Sequence, residues 1–166
     1  MTSTQNSKPS RDESFVLAFL EGCSRDKGFA ARMRRADNPV TEYQSWDFLA
    51  RFGVPLDNSL QRLPHVTVVA AMARAKLNSN GTMTLGKAIA ACYSDGNKSD
   101  QAVAKLRRVL ACTDLKTLCR ILRPIFALID SRVTQSLDYI RLLQQLRNFG
   151  FDDERVKTQW AQEFYA

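Results

Sequence analysis

The chain has 166 residues, enough for one domain that buries a core without help from a metal or a disulfide. It sets 24 lysines and arginines against 17 acids, a formal charge of +7, beside an ordinary hydrophobic fraction of 45%. That balance excludes a disordered or membrane-embedded chain and favours polyanionic partners, nucleic acid or an anionic surface.

Residues 1–11 contain no apolar residue after Met1, so they are expected as a disordered tail ahead of one helical domain over 12–166. The start lacks the apolar stretch of a secretion signal, and no apolar run approaches the ~20 residues of a membrane span. A cytoplasmic protein is expected. Phe15, Leu17, Ala18, Phe19 and Leu20 open a first amphipathic helix ending near Gly22. Phe29 to Arg35 reads as a short helix, stopped by Asp37-Asn38-Pro39. Thr41 and Gln44 have the spacing of a capping box for a helix carrying Tyr43, Trp46, Phe48, Leu49 and Phe52, which Gly53 ends. Residues 53–64 read as a loop, and Val66 to Leu77 as a central helix apolar on nearly all sides. After the turn Asn78-Ser79-Asn80-Gly81 comes a short helix, Thr84 to Cys92. Ser99 caps Asp100 to Ala111, and Thr113 caps a helix running to about Asp130 with a kink expected at Pro124. Val133, Leu137, Ile140, Leu143 and Leu146 place a long helix over Ser131 to Phe149, stopped by Gly150. A last helix from about Asp152 carries Val156, Trp160, Phe164 and Tyr165. No period-2 pattern appears, so the fold is read as all-α, a compact bundle of about seven to nine helices.

The chemistry-bearing residues are sparse. A single histidine, His65, cannot build a metal cluster or a two-histidine acid–base site, and it is read as a helix-end or surface residue. Cys23, Cys92, Cys112 and Cys119 form no C-x-x-C pair and replace apolar residues in helical patterns, as buried thiols do. Gly81 to Lys87 lacks the Ser/Thr and the preceding strand of a phosphate-binding P-loop. No enzyme, no metal and no cofactor is expected.

The informative feature is where the cations fall. Arg25, Lys27, Arg32, Arg34 and Arg35 cluster around a helix whose Phe29 and Met33 face inward. A second cluster joins Lys105, Arg107 and Arg108 on one helix to Lys116, Arg120 and Arg123, spaced i, i+4, i+7, on the next. Between residues 98 and 123 the only acids are Asp100 and Asp114. Two readings stay open: a solvated face whose arginines pair acids from distant helices, or a surface for phosphate, which the planar guanidinium matches bidentately. Few aromatics interleave with these stripes, which argues against base stacking and for contact with the sugar–phosphate backbone. A competing reading takes Thr84–Ala90 and Ser99–Leu110 as a helix-turn-helix regulator offering Gln101, Lys105 and Arg108 to base edges, although Ala91 to Lys98 is long for its turn.

Gly28-Phe-Ala-Ala-Arg-Met-Arg34-Arg35 followed by Asn38-Pro39 resembles the G-x-x-A-x-x-R-R…P signature of the small subunit of the type I-E Cascade complex, the CasB family of a CRISPR surveillance assembly. Thr84-Leu-Gly-Lys87-Ala-Ile-Ala90 is similar to that family's S-L-G-R-A-L-A stretch, and Leu106 to Arg123 resembles its arginine-rich central helices. The resemblance spans about residues 13–165. It implies a non-catalytic helical subunit, present as two head-to-tail copies beside other Cascade subunits, crRNA and target DNA. It would stabilise the target and displaced strands of the R-loop. Arg34 and Arg35 match the paired arginines, Lys87 the basic position after glycine, and Arg107, Arg108, Arg120 and Arg123 the central basic stretch. Arg32 joins them as the neighbour of the pair on the same helix.

Overall fold

A computed structural model describes residues 7–166, and the expected tail over residues 1–6 lies outside them. Among the described residues the chain is all-α, with nine helices. Helix α1 (Arg11–Arg25) begins one residue inside the expected tail because Ser10 caps it, accepting the Glu13 amide through its hydroxyl. It also runs past Gly22 to Arg25. Helix α2 (Lys27–Met33) follows after Asp26, whose carboxylate takes the Gly28 amide.

The expected capping box at Thr41 does not form. Thr41 has helical backbone angles and its hydroxyl donates to the Arg35 carbonyl instead. Residues Glu42–Ser45 make a 3-10 turn leading into α3 (Trp46–Arg51). Glu42 holds that turn down by accepting the Trp46 indole N–H at 2.9 Å and pairing Arg62 at 3.0 Å.

Helix α4 (Ser59–Ala75) is longer than expected, starting in what reads as a loop. Asn58 caps it through the Leu60 amide, so the helix is established before Pro64 removes an N–H. Its hydrophobic residues from Val66 through Ala73 are buried all round, against α1, α2, α7 and α8. The small alanines let those neighbours approach closely, and α4 is the axis of the molecule.

On one side of α4, α1 to α3 close over a ring cluster. Phe15, Phe19, Phe29, Phe48 and Phe52 stand 5.2–5.8 Å apart, with His65 edge-on to Phe15 at 4.9 Å. His65 is therefore a buried residue inside α4, contrary to the helix-end or surface expectation. On the other side lie α5 (Leu85–Ala91), α6 (Asp100–Leu110), α7 (Leu115–Arg132), α8 (Tyr139–Phe149) and α9 (Asp153–Tyr165). The cap of α7 is Asp114, not Thr113. Its carboxylate accepts the Thr117 amide and hydroxyl, both at 2.8 Å, which holds it below the ordinary carboxylate range. Helix α7 runs through Pro124 to Arg132.

The helix expected over 131–149 starts only at Tyr139, because Ser131 and Arg132 belong to the end of α7. Residues 133–138 leave the helix because they pair with the strand-like segment 80–84. The Gly81 amide donates to Leu137, Met83 to Ser136, and Asp138 back to Met83. Asn80 adds side-chain bonds to Asp138 and to the Tyr139 amide. A Cβ at Gly81 would strike the Ser136 carbonyl, so that approach requires glycine.

Candidate nucleic-acid interface

Helix α2 turns Met33 into the core and half-buries Phe29, leaving the guanidiniums of its last turn outside. Arg34 is the C-cap and Arg35 the next residue, so the pair sits on the turn that leaves the helix. Arg34 Nε donates to the Ala73 carbonyl at 3.4 Å, and the Arg34 carbonyl accepts Arg74 Nη1 at 3.3 Å. The end of α2 is thereby fixed to the end of α4.

Asp37 extends this connection to α7. Its Oδ2 takes Arg74 Nη2 at 2.7 Å and lies 3.5 Å from Arg123 Nε. The Asp37 side chain is only 8% exposed, against 24% for Arg74 and 53% for Arg123. One carboxylate therefore sits between two guanidiniums and leaves a net positive charge. The same segment forms one wall of a groove of about 520 Å³, whose other wall carries Lys116, Arg120 and Arg123. Two basic clusters far apart in sequence are neighbours in space. Sequence reasoning missed Arg74 and Asp37, which join them.

A second basin of about 460 Å³ opens on the other side of Arg34, where Lys27 and Lys76 border it with Ser24 and Asn78. Lys76 ends α4 in the left-handed conformation, φ 52° and ψ 52°, which glycine usually takes. Lys76 was also missed, because it follows directly on the apolar run.

Of the eight residues expected to bind nucleic acid, two meet an acid. Arg123 has Asp37. Arg32 lies 3.7 Å from Asp47, with its guanidinium 5.9 Å from the Phe29 ring centroid. Arg34, Arg35, Lys87, Arg107, Arg108 and Arg120 are exposed and form no ion pair among the described residues. Lys87 stands on α5, Arg107 and Arg108 on α6. Two of the acids are committed elsewhere: Asp12 grips Arg147 with both oxygens, at 2.7 and 2.8 Å, and buried Glu163 takes Arg141, Gln145 and the Gly86 amide. The cations left over form the exposed basic surface.

The helix-turn-helix reading loses support. Eight residues, 92–99, separate α5 from α6 and include a 3-10 turn, Gly96–Lys98. Gln101, Lys105 and Arg108 border a groove toward α7. Burial pushes the Cys23 and Cys119 thiols up to about 11 and the His65 imidazole below its ordinary value. At neutral pH all three are uncharged, and neither thiol is a thiolate. Among the described residues no group of three His, Cys, Asp or Glu is placed to hold a metal ion, and no helix is long and apolar enough to cross a membrane.

Comparison with known proteins agrees with this architecture. The crystal structure of CasB from M. ruber matches with a TM-score of 0.75 at 26% identity, covering 95% of this chain and 94% of that one. CasB from Thermobifida fusca matches at TM-score 0.71 and 21% identity, covering 94% and 96%, a likeness that bears on the fold. No curated protein matches the sequence. The family model of CRISPR-associated protein Cse2 matches residues 30–165, from inside α2 through α9. The basic turn after α2 and the cations of α7 lie in that span, and the chain belongs to the CRISPR-associated Cse2 family.

Proposed function

We propose that this chain is the non-catalytic small subunit of a crRNA-guided type I-E CRISPR antiviral complex, holding the backbones of the target and displaced DNA strands in the R-loop. The observation that carries the reading is the set of exposed cations without acid partners, Arg34, Arg35, Lys87, Arg107, Arg108 and Arg120, on a fold shared with CasB. Unwound strands re-anneal unless held. Guide pairing supplies sequence recognition, so a subunit that grips phosphates needs cations and no reacting groups. Its partners on this reading are other Cascade-type subunits, crRNA, target DNA and a second copy of itself.

The test is target binding by the assembled complex carrying Arg34→Glu and Arg35→Glu together. Both side chains are exposed, so helicity by circular dichroism stays unchanged. Affinity for target falls by at least about tenfold, with a shallower salt dependence. Unchanged target binding overturns the reading.

A further inference from the structure

Beyond the phosphate-holding cations, one groove between α6 and α7 has a different composition. It encloses about 380 Å³, at the lower end of the roughly 300–1,000 Å³ of small-molecule sites. Its wall combines an aromatic ring, Tyr93, an amide, Gln101, two cations, Lys105 and Arg108, and the apolar side chains Ile121 and Ile125. The Tyr93 ring is half-buried and held from one face by Arg132, whose Cζ lies 5.1 Å from the ring centroid while its Nη1 donates to the Cys92 carbonyl at 3.3 Å. Lys105, Arg108 and Arg132 form no ion pair among the described residues.

From this we infer a nucleobase pocket: an unpaired base of single-stranded DNA enters the groove against the Tyr93 ring while Lys105 and Arg108 take the flanking phosphates. A flat apolar face bordered by cations suits a base with its backbone, since base–aromatic stacking is tolerant of sequence and adjacent guanidiniums strengthen it. Gln101 offers one donor and one acceptor to a base edge. The sequence alone separates Tyr93 from Arg108 by an intervening turn, which is why the basic stripe looks free of aromatics. The fold puts the ring at its foot. This inference rests on the reading of the chain as a nucleic-acid-binding subunit and adds a base contact to its backbone contacts.

The test compares two fluorescent oligonucleotides of equal length and phosphate count, oligothymidine and its abasic counterpart, titrated with the full chain at low salt. The expected result is binding of the base-bearing strand at least about fivefold tighter, from the stacking of one base. Tyr93→Leu removes the difference and Tyr93→Phe keeps it. A second measurement needs no variant: 5-iodouracil in the strand photocrosslinks to Tyr93 rather than to the exposed Tyr43, Phe151 or Tyr165. Equal binding of both strands, or crosslinks confined to the other aromatics, overturns the pocket and leaves the backbone reading standing. Binding of neither strand overturns both.

Discussion

Asp37 is the residue where stability and binding pull in opposite directions, and Asp37→Asn separates them. The carboxylate is 8% exposed and faces Arg74 at 2.7 Å and Arg123 at 3.5 Å. The longer contact, to a half-exposed arginine, is worth about 0–1 kcal/mol at most. Breaking the shorter one falls between that and the roughly 3–5 kcal/mol of a fully buried pair, because Arg74 keeps some contact with water. Asparagine retains an acceptor oxygen, so the expected loss is about 1–2 kcal/mol, or about 3–6 °C in Tm for a chain of this size. Binding moves the other way. Removing the negative charge frees Arg123, on the wall that carries Lys116 and Arg120, for one more phosphate. Each added phosphate contact steepens the slope of log K against log salt by about 0.7 on a single strand. The assay pairs thermal unfolding with anisotropy titrations of a single-stranded oligonucleotide across a salt series. A variant that is as stable as the parent refutes Asp37 as the tie between α2, α4 and α7. A variant that binds more weakly at low salt refutes Arg123 as a phosphate contact.

Three further outcomes are expected. Gly86→Ala places a methyl against the Trp160 carbonyl and within 2.7 Å of the Phe164 amide nitrogen, so α5 must part from α9. A loss of more than about 2 kcal/mol in denaturant unfolding is expected, and parental stability would contradict that packing. Lys76→Gly suits the left-handed backbone, so stability stays within about 1 kcal/mol while oligonucleotide affinity drops as the basin loses a cation beside Lys27 and Arg34; unchanged affinity removes that basin from the interface. His65 gives a pH signature. Its imidazole is buried, donates Nδ1–H to the Gln61 carbonyl, and has Arg147, Asp12 and Arg11 nearby; burial lowers its pKa below the ordinary 6.5. Above that value both states are neutral. As pH falls through it the unfolded chain takes up a proton that the folded one refuses, so stability declines toward the folded pKa. His65→Gln lacks this component, and an identical decline in both proteins from pH 7 to pH 5 would exclude it.

The amphipathic helices were the legible part of the fold. In α6, α7 and α8 the residues Leu106, Leu118, Leu122, Leu143 and Leu146 mark the buried face without reference to any other segment. What stayed hidden depends on distant partners. The break at 133–138 is imposed by Gly81 and Asn80, the latter 58 residues from Asp138. The first turns of α4 look like a loop because Pro64 and the polar residues before it mask a helix that Asn58 starts. The interface divides the same way. Exposure of Arg107, Arg108 and Arg120 follows from helical periodicity, since they flank or oppose the buried leucines. The junction of the two basic clusters through Arg74 and Asp37 is a tertiary fact, as is the approach of Tyr93 to Lys105 and Arg108.

The position of α4 has a consequence for synthesis. This helix is apolar around its circumference, and it is covered from the C-terminal side by α7 and α8, which end at Arg132 and Phe149. Some seventy residues must therefore be translated after Ala75 before α4 can be enclosed, roughly 4–14 s at ordinary elongation rates. Through that interval the nascent chain carries its most adhesive segment uncovered, with only α1 and α2 to shield it. A pause after α4 has left the ribosome lengthens the exposure, because the residues of α8 made last are still held inside the ribosome and cannot dock. Yield of soluble chain should fall with such a pause, which makes the centre of the folded protein the weak point of its birth.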